Sequence, residues 1–401
     1  NMVVKIDSLT LKVGVFKVGK DPGSLRTVSG KDLAVVLNRK SDSATIMRTT
    51  DKGVDSMVTV KTAPGLNNMV VSPGGKYAVA FFDVARSLGK IPSNQSLQDV
   101  TLIQLEQGKE AAMDVTVGFK PTGVQFNKDG SKAFVTTESG VSIIDHATAK
   151  KSAIMPTVFL LKDALKEPKP AEVLVTPDGK WALVRQEYVK GVRAVDLKNK
   201  TIYDLPLDHW VTDLDLTADG KVAVAVMRKT SEVAVLDVPG DFTDSTASVD
   251  VVSVGKYTAG QAELTADGEV AFLYTNAVNQ EVLLMIDLAT RKIKMQPLQK
   301  AVRLIRAAPD GKTAVVYHNK LPGTPSRKDG LETYIDKSYG FSLFDVSKSF
   351  AKLQLTGTDP GRLAFSPDSK WAYMMLTDGK AVRITAALDL TSFLVKNIVV
   401  G

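Results

Sequence analysis

Three histidines, His146, His209 and His318, and a series of acids closing apolar runs are the residues of this 401-residue chain best suited to chemistry. A histidine metal site needs partners at short regular spacing, and neither His-x-x-x-His nor His-Glu-x-x-His occurs. His146 follows a turn aspartate, His209 falls in a connection, and His318 ends a strand-like run. Cysteine is absent, which excludes disulfides, zinc thiolate sites and thiol nucleophiles. No Gly-x-Ser-x-Gly elbow and no phosphate-binding loop is present. The acids Asp145, Asp196, Asp237, Asp287 and Asp345 each end an apolar run. A residue that recurs in this way serves a turn, whereas a catalytic group stands out against its repeat. The expectation is no catalytic residue, no metal ligand and no cofactor.

The elements around these residues repeat. Eight times a small polar turn and a basic residue precede an apolar run, with the turns centred on Gly30, Gly75, Gly130, Gly179, Gly220, Gly268, Gly311 and Ser369. The clearest copies are Thr176-Pro-Asp-Gly-Lys-Trp-Ala182 and Ala308-Pro-Asp-Gly-Lys-Thr-Ala314. Proline presets φ, aspartate bonds its local backbone and glycine accepts positive φ, so these turns join hairpins. An alanine recurs two places after the basic position (Ala78, Ala182, Ala223, Ala271, Ala314, Ala372), a small residue for a crowded place. Strands repeating every 40–60 residues, roughly, predict an all-β chain forming a single β-propeller of four-stranded antiparallel blades over 1–401. Eight blades are favoured, with seven the alternative count. Residues 2–19 and 380–401 both read as outer strand pairs, one more than the ring needs, and 1–20 are the candidate ring-closing strands.

The Asp-Gly-Lys turns, the Ile-Asp strand ends such as Ile144-Asp145, and the Val-Gly exits Val18-Gly19, Val117-Gly118 and Val254-Gly255 together resemble the YVTN-type propeller repeats of bacterial and archaeal surface and periplasmic proteins. The naming tetrapeptide survives as Ala133-Phe-Val-Thr136 and Ala271-Phe-Leu-Tyr274. This resemblance implies a periplasmic or extracellular protein. Asn1 in place of methionine implies an upstream leader removed or left out. There is no apolar run of membrane-spanning length.

Strand order separates two ends of each blade. The short uniform turns join first strand to second, so their end is structural. The long excursions 84–99, 156–170 (with a short helix expected over 160–167) and 319–338 leave from the opposite end, as do the blade-to-blade connections. Loops of extra length on a stiff scaffold are where recognition sits. The connections carry Lys20, Lys61, Lys120, Lys169, Lys256 and Lys300, with Arg26, Arg303 and Arg362 just inside the neighbouring first strands. Acids there are fewer: Asp21, Glu167, Asp208 and Asp359. The expectation is a weakly positive funnel, in keeping with a formal net charge of +7. One connection breaks the pattern by placing His209 and Trp210 where others have proline or glycine. The predicted function is a non-enzymatic scaffold binding a protein, a glycan or an anionic polymer, within a larger envelope or extracellular assembly. Nucleic acid is not expected, since no basic run is interleaved with aromatics. The enzymatic alternative is a lactonase-like propeller hydrolase, which would need acids beside the basic residues.

Overall fold

The computed structural model describes every residue except 7–12, 50–54, 94, 139, 245, 247, 378–381 and 400–401. Its described residues form eight four-stranded antiparallel sheets and one two-stranded hairpin. Each four-stranded sheet is built from strands consecutive in the chain. Their first strands are Pro22–Thr27, Asn68–Val71, Gly123–Phe126, Pro170–Val175, Asp213–Leu216, Gln261–Leu264, Val302–Ala307 and Asp359–Phe365. Their fourth strands are Asp55–Lys61, Ala111–Thr116, Thr157–Phe159, Ile202–Trp210, Asp250–Ser253, Ile293–Pro297, Phe350–Thr356 and Leu394–Val399. The chain divides into two compact units, 1–184 with 194–202 and 185–193 with 203–401.

All eight repeated turns join a first strand to a second. Four of them share one side-chain lock. In the copy at 176–181, the Thr176 hydroxyl donates to Asp178 Oδ1 (2.6 Å), Lys180 N donates to the same carboxylate (3.0 Å), and Trp181 N donates to Thr176 Oγ1 (3.1 Å). Thr217/Asp219, Thr265/Asp267 and Ser366/Asp368 repeat it. Gly179 has φ +70°, and a Cβ there would stand 2.5 Å from the Phe134 ring of the preceding sheet. The turn therefore requires glycine twice, for its backbone and for its neighbour. Four of the five strand-ending aspartates are turn formers as expected, Asp145 and Asp345 among them: Asp196 Oδ1 accepts from the amides of Lys198 and Asn199, and Asp287 Oδ1 from those of Ala289 and Thr290; at Asp237 the backbone N donates to Asp241 instead. The backbone amide of Asn199 holds the Asp196 carboxyl below its ordinary pKa, and that of Thr290 does the same for Asp287.

Second and third strands carry the core. Ala78, Ala182, Ala223, Ala271, Ala314 and Ala372 are fully buried, as their recurrence predicts. Burying such apolar runs at ~25 cal/mol per Å² is the main stabilising term. Fourth strands are more exposed. Where both lie in one unit, neighbouring first strands run close together, Pro22–Thr27 beside Asn68–Val71 and Asp213–Leu216 beside Gln261–Leu264.

The two terminal strand pairs have different fates. Val382–Asp389 and Leu394–Val399 complete the last four-stranded sheet. Met2–Ile6 and Val13–Lys17 pair only with each other, and their Val3 and Phe16 pack with Val18, Ala34, Val36 and Met47 of the first sheet region. The segment 156–170 departs from expectation. Thr157–Phe159 is a fourth strand, and 160–167 forms turns instead of a helix. Glu167 Oε1 accepts from the amides of Lys162 and Asp163, Asp163 Oδ1 accepts from Leu165 N, and Pro168 follows. Side chains that capture local amides, with proline next, leave no room for a second helical turn.

Candidate partner-binding surface

Each sheet has a turn end, where first strand meets second, and a loop end, where second meets third and the fourth departs. The loop ends carry the candidate residues. In the first unit, Lys120 Nζ and Lys169 Nζ meet on one carboxylate oxygen, Glu138 Oε1, at 3.0 and 2.9 Å. Burial works against the Glu138 charge, but the two ammonium groups prevail and lower its pKa. Lys120 Nζ also lies 5.1 Å from the ring centre of Phe119, whose carbonyl accepts from Glu138 N. The backbone links the loops here: Lys120 N donates to Leu97 O of the 84–99 excursion. Lys20 and Lys61 are exposed, Lys61 at the end of a fourth strand. Arg26 Nε donates to Met69 O (2.9 Å) and its Nη2 to Asn68 Oδ1 (3.3 Å), so it braces the next first strand.

In the second unit, Lys256 is exposed, with Nζ 5.4 Å from the ring centre of Tyr257. Arg362 is also exposed. Arg303 pairs with Asp359 at 3.0 Å and stands over Tyr317 at 5.9 Å. His209 and Trp210 lie inside the strand Ile202–Trp210, which runs further than the sequence suggests and shortens their connection to Val211 and Thr212. His209 is buried, and its Nδ1 accepts from Trp210 N (2.9 Å). The Tyr188 ring meets Trp210 edge-on at 5.8 Å, Lys229 Nζ stands 5.1 Å over the indole, and Tyr188 is 77% exposed.

Lys300 departs most from expectation. It is 1% exposed, and its Nζ donates to Ile335 O (2.9 Å) and Asp336 O (2.8 Å), carbonyls in the last turn of the helix Leu331–Lys337. Burial lowers its pKa. A cation on the last carbonyls of a helix C-terminus is favourable, and these two also accept from the amides of Ser338 and Leu321. It is an anchor for the 319–338 excursion, not a funnel charge, because that excursion folds back over it.

The two ends treat their cations differently. At turn ends four lysines pair with acids of nearby turns: Lys180 with Asp178, Lys221 with Asp219, Lys348 with Asp345 and Lys370 with Asp368. Six cation–π pairs among the described residues lie at loop ends: Lys120–Phe119, Lys229–Trp210, Lys256–Tyr257, Arg303–Tyr317, Lys320–Tyr339 and Arg327–Tyr334. A ring face attracts a cation without cancelling its charge.

Sequence reasoning missed the braces between first strands. Gln125 donates to Val173 O (2.7 Å) and accepts from Val175 N (2.8 Å). Asp213 Oδ2 accepts from Ala262 N (2.7 Å). Glu263 accepts from Ala307 N (3.1 Å) and from Arg306 (2.9 Å), and burial raises its pKa. A polar residue at an alternate position of several first strands was the available signal. Among the described residues no group of three or more His, Asp or Glu side chains is placed to hold a metal ion, and no helix is long and apolar enough to cross a membrane.

No family model and no curated protein matches the chain. Solved structures do. The dihydro-heme d1 dehydrogenase NirN in complex with DHE is similar over all of this chain and 78% of its own, at 16% identity and a TM-score of 0.61. A eukaryotic initiation factor is similar over 96% and 94%, at 13% identity and 0.60. Apo AztD from Citrobacter koseri is similar over 90% and 92%, at 14% identity and 0.54. The fold is a β-propeller. These structures include a dehydrogenase and an initiation factor, so the likeness carries architecture alone.

Proposed function

We propose that this protein is a non-enzymatic binding module that takes an anionic partner, a protein or a surface polymer, on the loop ends of its sheets. The observation that carries this reading is the contrast between the two ends. Lys180, Lys221 and Lys370 at turn ends pair with turn aspartates, whereas Lys229, Lys256 and Lys320 at loop ends stand over aromatic rings, beside other loop-end cations that pair with Glu138 and Asp359. Aromatic rings with cations are the composition of binding surfaces, where tyrosine, tryptophan and arginine dominate the energetics. We read the eight sheets as eight blades of YVTN-type repeats, in a protein of the periplasm or cell exterior. Against an enzymatic reading, His318 and His209 are buried with ring nitrogens bonded within the fold, and His146 packs on Tyr77 with ring centres 4.1 Å apart.

Retention on an immobilised anionic polymer such as heparin tests this. The triple variant Lys229→Ala, Lys256→Ala, Lys320→Ala should elute at clearly lower salt than the parent. The triple variant Lys180→Ala, Lys221→Ala, Lys370→Ala, with the same change in net charge, should elute close to it. Equal shifts would mean that retention follows net charge alone, and the loop-end reading would be abandoned.

A further inference from the structure

The 319–338 excursion creates a groove that shares only Arg327 and Tyr334 with the cation–aromatic pairs described above. Its walls are Leu331, Tyr334 and Ile335 from the helical end of the excursion, Leu353 and Leu355 from the outer strand Phe350–Thr356, and Gln299 and Arg327. The space is about 480 Å³, within the ~300–1,000 Å³ of small-molecule sites. The groove is held open by bonds that do not line it. Lys300 fixes the carbonyls of Ile335 and Asp336, the Ser338 hydroxyl donates to Tyr334 O (2.6 Å), and Lys337 pairs with Asp329 (3.2 Å). Leu331 stays 76% exposed at its edge.

The charge of the lining is one-sided. It includes one cation, Arg327, and no carboxylate. Arg327 is exposed, with its guanidinium carbon 5.7 Å from the centre of the Tyr334 ring. Gln299 adds one amide. Four aliphatic side chains with a guanidinium and an amide suit a ligand that is apolar along its length and anionic at one end. A guanidinium fork matches a carboxylate in two parallel hydrogen bonds.

We propose that this groove binds an aliphatic monocarboxylate of medium chain length, with the chain along Leu331, Ile335, Leu353 and Leu355 and the carboxylate on Arg327. The full chain is titrated calorimetrically with decanoate, decanol, decylammonium and an acetylated peptide ending in leucine. Decanoate should bind at one site, and at least tenfold more tightly than decanol or decylammonium. Arg327→Gln should remove that tenfold preference, and Leu331→Glu, at an exposed position, should weaken decanoate at least as much. Lys229→Ala, remote from the groove, should leave its affinity unchanged, which separates this site from the anionic-partner surface. Absence of decanoate binding, equal binding of decanol, or loss of affinity in Lys229→Ala would each overturn the proposal. Tighter binding of the peptide than of decanoate would assign the groove to chain termini and overturn it as well.

Discussion

Mild acid should destabilise the second unit through one side chain, His318. It ends the strand Thr313–His318 and is buried, with Nδ1 3.2 Å from Ala301 O and Nε2 2.7 Å from Ser342 Oγ. A carbonyl only accepts, so Nδ1 carries the hydrogen and Nε2 accepts from the serine hydroxyl. A second ring proton would place a buried charge beside Lys300 and Arg303. Burial foremost, with those two cations, pushes the pKa from 6.5 down to about 4. The unfolded chain therefore takes up this proton near pH 6.5, and the folded chain only near 4. The stabilisation is complete above 6.5 and is lost as the pH falls between those values. At ~1.4 kcal/mol per pH unit the whole interval is worth about 3 kcal/mol, of which about 2 kcal/mol is gone by pH 5. Urea unfolding at pH 7 and pH 5, followed by tryptophan fluorescence, measures it. His146, whose pKa burial also lowers, contributes with the same sign. The informative quantity is thus the difference between the parent and His318→Gln, which is neutral at both pH values. The parent should lose about 2 kcal/mol more than the variant. Equal losses would refute the assignment of this pH dependence to His318.

Replacing Gly179 by alanine should cost about 2–4 kcal/mol, since it combines positive φ with a Cβ on Phe134, whereas Gly30→Ala, at φ +70° with open space around it, should cost only about 1 kcal/mol; thermal melts compare them. Lys300→Met should loosen 319–338 without unfolding the sheets, seen as faster amide exchange confined to that excursion; unchanged exchange would contradict its role as an anchor. Glu138→Gln should change stability by under about 1 kcal/mol, because its two ion pairs are partly exposed, yet raise the salt needed to elute the protein from heparin by freeing Lys120 and Lys169.

The repeat made most of the fold legible. Four turns carry a complete side-chain lock within six residues and the other four keep a positive-φ glycine, so local sequence suffices to place all eight first-to-second hairpins. The loop ends were less legible, because their structure depends on residues distant in the chain. Lys300 reads as a solvated connection lysine until residues 331–337 fold onto it, and Lys229 finds Trp210 only across two sheets. His209 and Trp210 read as a connection because nothing in their identity announces that the strand continues through them. At 160–167 a short helix is expected, and the competing side chains of Asp163 and Glu167 decide otherwise.

The braces between first strands carry a warning for mutagenesis. Gln125, Asp213 and Glu263 supply hydrogen bonds that an additional strand would otherwise make to Val173, Val175, Ala262 and Ala307. A loss-of-function scan would score them as indispensable, and Glu263, a half-buried acid with a raised pKa beside an arginine, has the profile usually assigned to a general acid. Its removal should lower yield and cooperativity of unfolding together with any activity, in constant proportion. An acid engaged in turnover would be separable from folding; this one is part of the masonry between adjoining sheets.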